Sequence, residues 1–410
     1  MPVFLDVYQT DEEHRLFDLA VVSATGCHRL DLSALPRPDA ENYLAMLHRM
    51  GQTAQTEVDT YEVKFNRPAE VVSIGLVDDP SMNAFAMPRA RGGYWIAVTS
   101  GLYLTLTTIY NNIFRHRRLF PDIGDGSVEA HEGRIVIDNT GGYSSARYDQ
   151  AEFKWEPQVP DSWIPDGVPI GARELSAMSM RQPNDPVRRL AYIACVTAAW
   201  DAIIAHEVGH IVQDHFILLD DLAAPKALFE IPSESREVES ASLLQALEIE
   251  ADSQAAGAVW TRWSHSGNIL TYDTSAMLGD GALNLRLWFI ATNALYWAFA
   301  SHARTGLSWF DAMSHPHPDV RLSSNALLLH MIWTKIFSDD KVAIVNDTWP
   351  AVVEDIVGLR DVLARFTDPG SVADNRRFND PDYRAEIHER LTSLEEGRLK
   401  LQELRDAKTP

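Results

Sequence analysis

Cysteine is almost absent from this sequence of 410 residues, which contains only Cys27 and Cys195. Two cysteines so far apart do not form a disulfide framework, and they offer no Cys-x-x-Cys zinc or redox motif. Cys195 lies in an apolar helical stretch, so we expect it to be a small core residue. The sequence also lacks a Gly-x-Ser-x-Gly elbow and a phosphate-binding P-loop. Serine hydrolase and nucleotidase functions are therefore without support.

Basic residues are scarce as well. The 36 lysines and arginines are outnumbered by 58 aspartates and glutamates, which gives a net charge of −22. A surface of this charge repels phosphate backbones and anionic lipids. We therefore expect neither nucleic acid nor a membrane surface as a partner.

Long hydrophobic runs are also few, and we expect no targeting signal in this sequence. The stretch from Met1 to Leu19 is acidic and interrupted by charge, which is not typical of a signal peptide. The longest apolar stretch, Leu285 to Ala300, contains Arg286 and Asn293 and is shorter than the roughly 18 residues of a membrane span. It predicts a buried helix. The expected location is the cytoplasm.

The remaining patterns favour an α+β fold that is mainly α-helical. Short strands are predicted at 71–77, within 81–88 and at 94–99, with the last two joined as a hairpin through Arg91-Gly92-Gly93. Helical periodicity dominates after residue 185. The glycine- and proline-rich stretch 121–183 has no strong periodicity, which is typical of a functional insertion, a lid or a mobile segment.

The motif with the clearest chemistry is His206-Glu207-Val208-Gly209-His210. On a helix the two histidines of an H-E-x-x-H motif are one turn apart and face the same way, so together they can bind one Zn²⁺. Glu207 is placed to reach a water on that metal. A buried helix with two hydrogen-bonded histidines is the alternative interpretation of the same pattern.

A third ligand is predicted from the E-x-x-x-D pattern of Glu248 and Asp252. Three protein ligands and an open fourth position are typical of a catalytic zinc site. We expect Glu250 to point away from the metal, because it lacks the spacing that relates Glu248 to Asp252. His215 is expected to be a residue of the helix surface and not a ligand.

The order of five segments resembles the HtpX and CAAX-prenyl-protease type of gluzincin zinc metallopeptidase. The segments are Asn83-Ala84-Phe85-Ala86-Met87-Pro88, Thr99-Ser100-Gly101-Leu102, the H-E-x-x-H motif, the Glu248 motif, and His315-Pro316 followed by Arg321. They span about residues 70–104 and 186–325. The resemblance implies a zincin-like core with an active-site helix, a small sheet with an exposed edge strand, and a C-terminal helical region. The domains expected are a zincin-like metallopeptidase domain at 1–335, with the insertion at 121–183, and a helical extension at 336–410.

The resemblance also implies the roles of individual residues. The zinc ligands would be His206, His210 and Glu248, with Glu207 as general base. Asp252 would accept a hydrogen bond from a ligand histidine and fix its tautomer. His315 would bring an imidazole near the zinc to stabilise the oxyanion, and Arg321 would brace that loop or the substrate. His317 is a second candidate imidazole, which we expect to be only a loop residue.

Substrate binding is expected along the Asn83–Pro88 strand. An extended polypeptide can add to an exposed strand edge through backbone hydrogen bonds, so Asn83, Ala84 and Phe85 are the predicted substrate-binding residues. The predicted function is a zinc-dependent endopeptidase in which Glu207 assists the attack of a zinc-activated water. Latency is also expected, with the insertion or the His315 loop as the gate. The alternatives are a catalytically silent zinc-binding sensor or scaffold, and an exopeptidase.

Overall fold

The structure is a computed structural model, and it confirms an α+β fold that is mainly helical. It describes residues 3–4, 11–30, 51, 54–59, 71–79, 82–89, 92–129, 132, 135–138, 145–148, 182–221, 228–229, 238–266, 281–299, 315–336, 339–365 and 380–407. Within these residues the α-helices are α1 (Asp11–Thr25), α2 (Ser100–Arg115), α3 (Pro186–Val212), α4 (His215–Asp221), α5 (Val238–Ser266), α6 (Gly281–Phe299), α7 (Pro318–Ile336), α8 (Asp339–Val362) and α9 (Pro381–Asp406).

The described strands form two sheets. They are β1 (Val3–Phe4), β2 (Val72–Val77), β3 (Ala84–Pro88), β4 (Tyr94–Thr99), β5 (Ile135–Asp138), β6 (Ser145–Tyr148), β7 (Leu228–Phe229) and β8 (Leu363–Arg365). The larger sheet has the order β1-β2-β4-β3-β7, and the smaller has the order β6-β5-β8. The predicted hairpin of β3 and β4 is confirmed, since the two strands pair antiparallel. Gly92 and Gly93 form its turn with φ angles of 90° and 80°, a region that favours glycine.

The prediction that β3 is an edge strand is wrong for the sheet that the structure describes. The outer side of β3 pairs antiparallel with β7, with Phe85 opposite Phe229 and Ala86 opposite Leu228. A two-residue strand that lies some 140 positions further along the chain carries no periodicity that a sequence pattern could reveal. The position where an added substrate strand was expected is therefore occupied at two residues by the chain itself.

Helix α3 is the central element of the core. Asp185 caps its first turn and Pro186 stands at a position where a missing backbone N–H costs nothing. From Ala198 to Val212 every residue is buried, with α5 and α6 packed against it. By length and hydropathy α3 could cross a membrane, but 83% of its apolar window is buried within the protein. Core helices meet the same criteria, so this is weak support for a membrane span.

The core confirms two smaller predictions. Cys195 is fully buried on α3, where its thiol donates to the carbonyl oxygen of Leu287 at 3.4 Å. The apolar stretch that begins at Leu285 forms the buried helix α6. Burial raises the pKa of the Cys195 thiol well above its ordinary value, so this cysteine is inert in the folded protein.

The beginning of the predicted insertion is part of the core. Arg188 on α3 is fully buried and donates to five backbone carbonyl oxygens between Phe114 and Ile123, at 2.7–3.2 Å. One guanidinium thus fixes the turn that leads into 121–129. Further along, β5 pairs in parallel with β8 from the far end of the chain. Most of the remainder of 121–183 lies outside the described residues, and its role as a lid stays a prediction.

The helices after residue 336 also lie on this core. Helix α8 packs against α6, and α9 packs against α5. Residues of both helices, such as Val352 and Leu401, are buried in the main hydrophobic cluster. The division at 335/336 stays a prediction, but α9 contacts α5, the helix that carries the Glu248 motif.

Candidate metal centre

The H-E-x-x-H and Glu248 motifs meet where α3 crosses α5. One ligand atom each from His206, His210 and Glu248 lie within 4.8 Å of one another. The two Nε2 atoms are 3.0 Å apart, and the Glu248 carboxylate is 3.2 Å from His206 Nε2 and 3.7 Å from His210 Nε2. These three predicted ligands therefore converge on one point.

A glycine allows this close crossing. Gly209 lies inside the H-E-x-x-H motif, and a Cβ built on it would be only 2.8 Å from the Cα of Ala251. Such a distance to backbone is too short for any side chain, so the two helix backbones touch here. Gly209 lies between the ligands His206 and His210, and Ala251 lies between Glu248 and Asp252. The contact between the two residues therefore sets the distance between the histidine ligands and Glu248.

The outer nitrogen of His206 is bound as predicted. Its Nδ1 lies 2.9 Å from Asp252 Oδ1, and Arg321 donates to both carboxylate oxygens of Asp252 at 2.7 Å. Burial alone would raise the pKa of Asp252, but Arg321 and His206 lower it to about 2. The ionised carboxylate can only accept, so His206 Nδ1 carries the proton and Nε2 presents its lone pair inward.

The outer nitrogen of His210 is held by residues that the sequence did not reveal. His210 Nδ1 lies 2.7 Å from Nδ1 of His215, and His215 Nε2 lies 3.2 Å from Glu250 Oε2. His215 is fully buried, so its expected place on the helix surface is wrong. Glu250 does point away from the ligand set, as predicted, and its carboxylate binds His215. The only sequence feature that could have indicated these partners is the second acidic residue in Glu248-Ile249-Glu250.

Hydrogen-bond direction along this second chain is determined by its acidic end. Burial would raise the pKa of Glu250, but His215 and Arg405 lower it to about 2, so the carboxylate accepts from His215 Nε2. Burial lowers the pKa of His215, and it lowers that of His210 well below its ordinary value, so both rings are neutral. His215 Nδ1 must then accept from His210 Nδ1. His210 Nε2 is left with its lone pair toward His206 and Glu248.

The donor set could hold a metal ion. Two neutral imidazole lone pairs and one carboxylate oxygen face the same point, and such a group is stabilised by a cation that binds nitrogen and oxygen ligands. Burial alone would raise the pKa of Glu248, but the neighbouring imidazole of His315 outweighs it and holds the pKa well below its usual range. The carboxylate is therefore ionised, as a metal ligand must be.

The predicted His315 loop does reach the site. His315 Nε2 lies 3.2 Å from Glu248 Oε2, and the ring is buried. His317 lies outside the ligand group, where its Nδ1 accepts from the backbone N–H of Asp319 at 3.1 Å and so caps the start of α7. Asp319 in turn binds Arg360 at 2.8 Å and the Tyr383 hydroxyl at 2.6 Å. The segment that contains His315 therefore leads directly into the anchored first turn of α7.

The Asn83–Pro88 strand lies against the same helix, since β3 packs on α3. The backbone N–H of Asn83 donates to Thr99 Oγ1 at 2.9 Å, and that hydroxyl donates back to the Asn83 carbonyl at 2.8 Å. Ala84 and Phe85 are fully buried. The substrate role of these three residues stays a prediction. Their observed contacts are those of a sheet that packs against α3.

The base candidate Glu207 is enclosed together with the ligands. His206, Glu207, His210 and Glu248 are between 1% and 3% exposed. A substrate that approached the site in this conformation would have to displace part of the chain.

Comparison with models of known protein families, with curated protein sequences and with solved structures found no match.

Proposed function

We propose that this protein is a zinc-dependent endopeptidase of the HtpX and CAAX-prenyl-protease type, acting on polypeptide substrates away from membranes. The observation that carries the proposal is the pair of oriented imidazoles. Both ligand histidines have their outer nitrogen bound to a separate polar chain, so both inner nitrogens face Glu248. In a buried helix that binds no metal, nothing requires a separate hydrogen-bond chain behind each of the two histidines. A metal site does require its ligand histidines to be oriented in this way.

The chemistry follows from the placement of the acidic and imidazole groups. When bound, zinc would polarise a water molecule and the scissile carbonyl. Glu207 follows His206 directly on α3 and is the group that takes the proton from the attacking water and returns it to the leaving amine. His315, adjacent to Glu248, is the candidate donor to the developing oxyanion. Asp252 with Arg321 keeps His206 in the ligand tautomer.

The enclosure of the site supports a latent enzyme. The ligands are nearly inaccessible, and β7 occupies part of the edge to which a substrate strand would add. A state disfavoured by a few kcal/mol is populated in only about 0.1–10% of molecules. Basal activity is therefore expected to be low and to rise when β7 or the His315 loop is displaced.

The same enclosure is the observation that favours the second candidate function. A zinc site that never opens would serve a sensor or scaffold and not an enzyme. In that case His315 would take the fourth zinc position permanently. The two functions differ in a single property, which is hydrolysis of a polypeptide substrate.

Casein digestion distinguishes them. Zinc-loaded wild type should cleave casein slowly, lose this activity with a chelator and regain it with added zinc. Glu207→Gln is the matched control, because it keeps the size of the side chain and all metal ligands but removes the base. We expect it to bind zinc and to be inactive. Equal cleavage by wild type and Glu207→Gln would show a contaminating protease, and the absence of cleavage after prolonged digestion would favour the silent zinc site.

A further inference from the structure

Terminal helix α9 contacts the metal centre through one arginine. Arg405 donates from Nη1 to Glu250 Oε1 at 3.1 Å and from Nη2 to Glu250 Oε2, and its Nε donates to the carbonyl oxygen of Gln213 at 3.2 Å. Gln213 caps the C-terminal end of α3. One guanidinium therefore binds both the end of the metal helix and the carboxylate that orients His215.

We propose that Arg405 is a positioning residue for the metal ligand His210, acting through Glu250 and His215, so that the terminal helix is part of the metal centre. The inference rests on the proposed zinc function and deepens it. In the chain Arg405–Glu250–His215–His210 the hydrogen bonds converge on Glu250, because Arg405 donates to its carboxylate from one side and His215, which accepts from His210, donates to it from the other. It is the counterpart of Arg321–Asp252–His206 on the other ligand.

The packing of α9 shows why a polar contact is needed at this point. The helix is strongly charged, and its buried residues are only Ile387, Leu394, Gly397 and Leu401. Gly397 allows a close approach to α5, since a Cβ there would meet the Cβ of Ala246 at 3.0 Å. Arg398, two turns before Arg405 on the same helix, also faces Glu250, with its Nε 3.9 Å from Glu250 Oε1. Apolar contacts hold the middle of α9, whereas Arg405 fixes its last turn against the site.

A purely structural salt bridge is the competing explanation for Arg405. It would contribute to the stability of the fold but would leave the metal site unchanged. The positioning role predicts a different result, because without the guanidinium Glu250 no longer holds the His215 ring that keeps His210 in the ligand tautomer. Zinc affinity and the ligand-field spectrum of bound Co²⁺ separate the two explanations, since neither is a measure of folding.

The experiment uses the full chain and titrates zinc in competition with a chromophoric chelator. Loss of a partner that orients a metal ligand typically weakens metal affinity about 10–100-fold. We expect a loss of this size for His215→Leu, and a smaller loss in the same direction for Arg405→Ala with partial rescue in Arg405→Lys. The matched control is Arg390→Ala, which removes an arginine that pairs with Glu386 within the same helix and should bind zinc as wild type does.

The outcomes are distinguishable from those of the proposed function. If wild type binds no zinc, the proposed function fails. If wild type binds zinc and Arg405→Ala matches Arg390→Ala in affinity and in the Co²⁺ spectrum, the positioning role is overturned while the zinc site stands. An unfolded Arg405→Ala protein would be identified by circular dichroism, and Arg405→Lys and Glu250→Gln then supply the comparison. Unchanged zinc affinity in both of these folded variants would also overturn the role.

Discussion

The direction in which each histidine donates its proton determines whether the candidate site can bind a metal. Both outer nitrogens face chains that end in an ionised carboxylate, Asp252 for His206 and Glu250 for His210. A carboxylate that only accepts leaves each imidazole one arrangement, with the lone pair directed inward. The spacing of the H-E-x-x-H motif predicted where the rings lie, and the outer partners explain why the rings are in the metal-binding tautomer.

Zinc stoichiometry tests the ligand set at this scale. We expect wild type to hold one zinc per chain, and His206→Ala, His210→Ala and Glu248→Ala each to lose it, because two remaining ligands bind zinc weakly. Glu207→Gln should retain a full equivalent. Elemental analysis after dialysis gives the values. Full zinc occupancy in Glu248→Ala would mean that another residue supplies the third ligand.

Asp252 should also make the stability of the metal-free protein depend on pH. Its pKa is about 2 in the folded protein, below the ordinary value of 3.8. A carboxyl group whose pKa is lowered by folding contributes stability above its ordinary pKa, and this contribution is lost as the pH falls toward the folded value. Asp252→Asn should therefore destabilise the protein strongly at neutral pH, with a difference from wild type that shrinks below about pH 4. Urea unfolding across this range measures it, and a difference that does not vary with pH would exclude the ionised pair with Arg321 as its source.

Two helices and one short strand control the geometry around the candidate metal site. The crossing of α3 and α5 at Gly209 brings the ligands together, and β7 covers part of β3. Local patterns predicted the helices and the β3–β4 hairpin because apolar periodicity and glycine turns are properties of neighbouring residues. The pairing of β7 is a contact between distant parts of the chain, and no local pattern encodes it.

Gly209→Ala tests the helix crossing. The added methyl would lie 2.8 Å from the Cα of Ala251, so α3 and α5 must separate. We expect a loss of stability of about 1–3 kcal/mol together with weaker zinc binding. Gly358→Ala is the matched control, because its nearest neighbour would be a leucine methyl at 3.8 Å, and alanine favours a helix over glycine by roughly 0.5–1 kcal/mol. Equal stability of the two variants, measured by thermal unfolding, would contradict the close crossing.

Removal of β7 tests whether β3 is the substrate platform. Replacing Leu228 and Phe229 by proline removes the backbone donors of this strand. If a substrate strand binds where β7 lies, basal casein cleavage should rise several-fold while zinc content stays constant. Ala86→Pro, which removes a donor from β3 itself, should lower cleavage. A folded double-proline variant with wild-type activity would place the substrate elsewhere.

At the scale of the whole molecule, the candidate site depends on distant parts of the chain. The sequence was sufficient to predict the mainly helical α+β fold, and it brought together His206, His210, Glu248, Asp252 and His315 by motif spacing and resemblance. It did not reveal Arg405, whose contact with Glu250 joins residues 155 positions apart. Such contacts follow from how helices pack, and α9 has too few apolar residues for its charged pattern to indicate a packing face.

The measurement that tests the central claim most directly is zinc K-edge X-ray absorption of the purified wild-type protein. The account predicts two imidazole nitrogens at about 2.0–2.1 Å and the remaining ligands as oxygen, with no sulfur. This is the signature of His206, His210 and Glu248 with an open fourth position. Sulfur at about 2.3 Å, or a third imidazole in every molecule, would contradict a catalytic site built from these three ligands.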